Sequence, residues 1–393
     1  MKKTLIALAA LAATGAFAQN VTIGGNFDQT VYSQNSGAAL SNGWIHNGNS
    51  TSLWNMTGSE DLGGGMKASF NLVSELNLMK GQIGATSTGA SVGTTNGGQF
   101  ADIFNRGANV ALSGDFGTVT IGRQTDLWFS TQGSLNTSAS NSYGFGNLTS
   151  YVSNAAAVYK VQGMSAANAA LALPNYLGAS TLVGGVDNGG RTGTAGDVFA
   201  GGVGYNTPVM SGFQAGFQSL TSDYANGGAG TGIAYNVTYN NGPLKLAAAT
   251  TSKNDAAGAS NGWVNTVYGG SYNLGAHTFI LAVNKTSFSG VAATLDNMTT
   301  TGLGWNMVVT PKFDFNVSYS TLADDTNSAN KATQIGLTGR YKLSARTSLY
   351  AGLGNVKNEG GSYVGSIYGG GGNTTADQNS TISSYMMGLK HTF

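Results

Sequence analysis

Two stretches carry the spacing of a serine nucleophile elbow, Gly-x-Ser-x-Gly: Gly89-Ala90-Ser91-Val92-Gly93 and Gly258-Ala259-Ser260-Asn261-Gly262. That chemistry needs the serine on a sharp turn between a strand and a helix. Both stretches lie instead in Gly/Ala/Ser-rich loops, where the pattern arises by chance. The histidines, His46, His277 and His391, fall in a loop, at a turn and in the last strand pattern. No two share a metal-ligand spacing. Gly369 to Gly372 has no Gly-Lys-Ser/Thr after it, so it is not a phosphate loop. The chain has no cysteine, which removes disulfides and thiolate chemistry. No general acid/base pair stands out, and nothing calls for a cofactor or a metal.

The elements around these residues are strands. In Ile382 to Phe393, Tyr385, Met387, Leu389 and Phe393 share one parity, with His391 among them. Ser384, Gly388, Lys390 and Thr392 share the other. That is a strand with one apolar and one polar face, closing on an aromatic residue. The pattern recurs back to Val21-Thr22-Ile23. It is cleanest in Phe313-Asp314-Phe315-Asn316-Val317-Ser318-Tyr319-Ser320, where Phe315 should face outward and Asn316 inward. Sixteen such strands are expected, joined alternately by short turns and long polar loops. Asp126 to about Gly196 interrupts the series; its Ala-rich piece, Met164 to Leu173, reads as a short helix. A loop this long in a regular β array is uncommon and usually functional.

Composition fits a barrel in a membrane better than a soluble sheet. Charged residues are 9% of the chain, against about 25% in soluble domains. Glycine supplies 61 of 393 residues. The start, MKKTLIALAALAATGAFAQN, reads as a secretory signal peptide over residues 1–18, with Lys2 and Lys3 before an apolar run and Ala16-Phe17-Ala18 as the cleavage site. Residues 19–393 would then form the barrel. Without Lys2 and Lys3 the balance is 16 basic against 17 acidic residues, and no basic patch with interleaved aromatics points to nucleic acid. A soluble β-sandwich or solenoid explains the alternation but not the leader, the even strand count and the loop asymmetry. The expected fold is therefore all-β, a 16-stranded antiparallel transmembrane barrel with apolar side chains to lipid and polar ones to a water-filled lumen. Trp54, Trp263 and Trp305 are candidates for its interface girdles.

In such a barrel the informative groups are inward charges near the narrowest point. Alternation places Asp28, Glu75, Asp314 and Arg340 inward. Arg123 shares parity with Val119 and Ile121, which puts it outward, at the rim.

The residues just discussed resemble a family. The leader, Val21-Thr22-Ile23 through Asp28, Gly58-Ser59-Glu60-Asp61-Leu62-Gly63-Gly64-Gly65-Met66-Lys67-Ala68, Asn105-Arg106 through Leu112-Ser113-Gly114, and Gly388-Leu389-Lys390-His391-Thr392-Phe393 are similar to Gram-negative general porins of the β-proteobacterial type. The best single match is Phe116-Gly117-Thr118-Val119-Thr120-Ile121-Gly122-Arg123-Gln124. The resemblance is closest over residues 1–126 and 334–393.

It implies an outer-membrane homotrimer that lets ions and small hydrophilic solutes diffuse passively, in a Gram-negative bacterium. It also implies that residues 127–196 hold a constriction loop folded inward, and that Arg123 reaches into the eyelet. A bulge or twist at the strand end would reconcile that with parity. Asp126 would stand beside Arg123 as counter-charge, and Tyr143 and Phe145 would belong to the loop. The closing strand, with Tyr385, Met387, Leu389 and Phe393, would be the signal read by the barrel-assembly machinery. Two departures stand out. Leu53 and Thr57 occupy places where the family has bases, and the loop reads Tyr143-Gly144-Phe145-Gly146-Asn147 where an acid is usual. They leave room for a solute-selective porin, or for a surface barrel acting mainly as adhesin or structural protein.

Overall fold

The computed structural model describes residues 19–35, 40–79, 81–83, 103–138, 199–221, 231–254, 263–288, 297–362 and 378–393. The leader, the Met164–Leu173 piece, Tyr143, Phe145, both Gly-x-Ser-x-Gly stretches and Gly369 to Gly372 lie outside these residues.

Alternating sequence gives long antiparallel strands. The first part of the chain forms β1 (Gln19–Asn35), β2 (Leu40–His46), β3 (Leu53–Gly63), β4 (Met66–Asn77), β5 (Gln82–Ile83), β6 (Gly107–Gly114) and β7 (Gly117–Thr125). One helix follows, α1 (Leu127–Ser134). Then come β8 (Phe199–Asn206), β9 (Phe213–Thr221), β10 (Gly232–Asn241), β11 (Leu244–Lys253) and β12 (Trp263–Leu274). The rest are β13 (His277–Phe288), β14 (Met298–Thr310), β15 (Phe313–Asp324), β16 (Lys331–Lys342), β17 (Thr347–Glu359) and β18 (Thr381–Thr392).

With β2 and β3 taken as one strand and β5 set aside, each strand pairs with its neighbours in sequence, and β1 pairs with β18 to close the ring. Closure leaves no sheet edge, which a strand protein in lipid requires. Eighteen strand segments make sixteen barrel strands. β2 and β3 both pair with β1, end to end, and form one interrupted strand. β5 only extends the hairpin of β4. The expected count therefore stands. His46, expected in a loop, instead ends β2, opposite Gln29. The sequence hid this because Leu40–His46 has little alternation of its own and takes its strand conformation from β1.

Side-chain facing follows parity. On β18, Tyr385, Met387 and Leu389 are exposed outward, while Ser384 is buried on the inner side. Phe315 lies on the outer face against Trp305, ring centroids 5.3 Å apart, and Asn316 is buried inside. Ile382 and Met386 are apolar yet share the inner face with Ser384; Met386 packs on Ile45 and Tyr350 there. Trp305 also stacks on His277, and Trp54 packs on Phe104.

Candidate functional site: the inner wall

The site is the inner wall and what lies on it. Asp126 closes β7, and its Oδ1 accepts from the Trp128 amide at 2.8 Å, capping α1. An aspartate at this position satisfies an otherwise unpaired helix donor. Its Oδ2 accepts from Thr251 Oγ1 at 2.9 Å and lies 3.4 Å from Lys253 Nζ. Both charges are almost fully buried. Asp126 thus ties the start of the long loop to the inner face of β11.

α1 rests on an apolar stripe. Leu127 packs on Leu220 and Ala234. Trp128 packs on Ala249, Val267 and Ala282, with its Nε1 donating to Asn284 Oδ1 at 3.1 Å. These seat residues come from five consecutive strands, β9 to β13. Burying Leu127 and Trp128 contributes about 1.5–3 kcal/mol each. Farther on, the Thr137 carbonyl accepts from Asn316 Nδ2 at 3.0 Å. The same carbonyl sits so close over Gly304 that a side chain there would strike it. Residues 126–138 therefore run along the inside of the wall from β9 to β15. Most of the constriction loop expected over residues 127–196 lies outside the described residues, which stop at Ser138 and resume at Phe199.

The inward charges expected from alternation are inside, and the structure adds their partners. Arg340 and Asp314 face each other across β15 and β16 and form a two-pronged ion pair, Nε to Oδ1 and Nη2 to Oδ2 near 3 Å. Lys342 adds Nζ at 3.0 Å. Glu75 is fully buried, accepting from Arg106 Nε at 2.5 Å and Asn47 Nδ2 at 2.8 Å. Asp28 is fully buried and accepts from the Tyr350 hydroxyl. Lys253, Arg106, Lys342 and Tyr350 were not singled out in the sequence. The inner parity of Lys253, Lys342 and Tyr350 was available as a signal; Arg106 lies before β6, where alternation gives no facing.

Arg123 is half-buried. Its Nε donates to the Asn105 carbonyl at 2.7 Å, and Asn105 Oδ1 accepts from the Glu75 amide. The preceding Gly122 has φ +118°, a conformation side chains disfavour. The β7–β8 ladder lacks the two pairs between Ile121–Val203 and Gln124–Ala200 but keeps its register, and on the other side Arg123 pairs with Ala108 in an unbroken β6–β7 ladder. No bulge is inserted at Arg123, and the backbone leaves it on the parity of Ile121.

The comparisons agree with this geometry. The family model for Gram-negative porins matches residues 4–361. The chain belongs to the Gram-negative porin family. Outer membrane porin protein 32 of Delftia acidovorans is 30% identical over the whole of both chains. The anion-selective porin from Comamonas acidovorans superposes with TM-score 0.69 at 23% identity, covering 95% of this chain and all of that one. OmpT of Vibrio cholerae, in its trimer form, gives TM-score 0.59 at 12% identity, covering 96% and 100%. This porin is an outer-membrane channel for passive solute diffusion.

Proposed function

We propose that this porin passes ions and small hydrophilic solutes as a homotrimer, with weak selectivity set by few residues and without a catalytic step or cofactor. The observation that carries it is the closed barrel with a polar inner wall along which residues 126–138 lie from within. Residues 1–18 act as the signal peptide, and the barrel-assembly machinery inserts the rest. Conductance in a planar bilayer, with zero-current potentials across a salt gradient, tests the reading. A protein that inserts and gives no stable open state would count against it.

Asp314, Glu75 and Asp126 each have a cation within 4 Å, which offsets negative charge along the wall. Arg123 donates its Nε to the Asn105 carbonyl. A relative of this fold is named an anion-selective porin, and the same preference is proposed here. At about 4 Å one charge is worth about 1 kcal/mol in water and more in a narrow pore. Arg123→Glu should therefore shift the permeability ratio several-fold toward cations and leave the oligomer intact. Coincident zero-current potentials for the two proteins would place Arg123 away from the permeation path.

The trimer has its own test. Unheated gel electrophoresis should show a slow band that collapses to the monomer on boiling. Light scattering that returns a monomer in mild detergent would contradict it.

A further inference from the structure

The interruption in the second barrel strand is larger than a β-bulge. From the pair Asn26–Leu53 to the pair Gln29–His46, β1 advances three residues while its partner advances seven. Four residues are in excess, where a bulge inserts one. The excess goes inward. Asn47, Asn49, Thr51 and Ser52 are all buried. Gly48 lies against Thr30, an inward residue of β1, so closely that any side chain would strike it. Asn47 takes φ +79° to make the corner.

This inward segment, Asn47–Ser52, covers three successive inner positions of β1. Asn26 Nδ2 donates to Ser50 Oγ at 3.0 Å and to the Thr51 carbonyl. The Asp28 amide donates to Ser52 Oγ, and the Asn49 amide donates to Asp28 Oδ2 at 3.0 Å. Thr30 meets Gly48. On the other side, Asn47 Nδ2 donates to Glu75 Oε1 at 2.8 Å, and Asn47 Oδ1 accepts from the Ser52 amide. Both wall carboxylates of this region are thus bonded to one segment, beside the bonds of Glu75 to Arg106 and of Asp28 to Tyr350. Each is fully buried beneath it.

We propose that Asn47–Ser52 is a second inward element of the pore, which narrows the wall at the second strand and takes Asp28 and Glu75 out of contact with passing ions. This rests on the channel reading above and deepens it. A carboxylate bordering an aqueous pore attracts cations; one buried under backbone amides and an asparagine amide does not meet them. The segment therefore tilts the pore toward anions by covering negative charge and adds no positive charge. It also stands immediately before Leu53, where related porins are expected to carry a base.

Deleting Gly48–Thr51 would restore a regular ladder. The expected result is a larger single-channel conductance and a permeability ratio moved roughly twofold to fivefold toward cations. The same deletion in an Asp28→Asn/Glu75→Gln background should raise conductance without moving the ratio. Unchanged conductance and potential in the deletion would overturn the proposal, as would an equal cation shift in the double-variant background. If the deletion does not fold, Ser50→Cys serves instead, because the chain has no other cysteine. An anionic methanethiosulfonate reagent should then lower the current of open channels in steps; no change in current overturns the proposal. A wild-type protein with no conductance at all would sink the channel reading itself. A conducting protein that ignores these changes sinks only this inference.

Discussion

Ile121→Lys should lower the stability of the folded barrel by about 2–4 kcal/mol, the cost of a lysine facing lipid near the bilayer midplane. Thr120→Lys, one residue earlier, should cost about 0.5 kcal/mol or less, as a surface substitution does. Ile121 is central in β7 and 55% exposed, with Val110 and Val203 opposite it on the flanking strands, also outward. Thr120 points the other way, beside the inward Gly204. It makes no described side-chain bond that a lysine would break, and a lysine there has lumen water for its charge. Equilibrium urea unfolding in lipid vesicles measures both variants against wild type. Equal losses would mean that the facing of β7 is misassigned.

That contrast works because side-chain period two fixes facing along a whole strand. This is also why so much of the barrel was legible beforehand. Phe315 and Asn316, Asp314 and Arg340, and Tyr385, Met387 and Leu389 could be placed from parity alone. Parity says nothing of where backbone conformation changes. Gly122 takes φ +118° just before Arg123, and a glycine in a sequence does not announce its φ. The Asn47–Ser52 segment read as a loop because polar residues around a glycine look alike whether they face solvent or fold onto a wall. The seat of α1 was also missed. Ala249, Val267 and Ala282 are single inner positions on three different strands, and only the register of β11, β12 and β13 brings them together. Read singly, none of the three marks a seat for a helix.

Removal of Phe393 should nearly abolish folded barrel in the outer membrane. The residue does two things at the seam. Its amide donates to the Gly25 carbonyl at 3.0 Å, and its carbonyl accepts from the Gly25 amide at 3.2 Å. Its ring packs on Phe27, centroids 5.0 Å apart, at the outer face. Two backbone bonds contribute about 0.5–1.5 kcal/mol each, and apolar burial of the ring about 1.5–3 kcal/mol. The loss falls on the β1–β18 junction, the pairing of greatest sequence separation and so the costliest to close by chance. A chain that cannot hold this junction stays an open sheet, and an open sheet is not tolerated in hydrocarbon. Phe393→Tyr keeps the ring and both backbone bonds and should restore assembly. Heat-modifiable protein in the outer-membrane fraction is the measurement for all three forms. Wild-type levels in the deletion would show that β18 closes on β1 without its last residue. Failure of Phe393→Tyr alone would show that the phenyl ring itself is read, apart from the seam it closes.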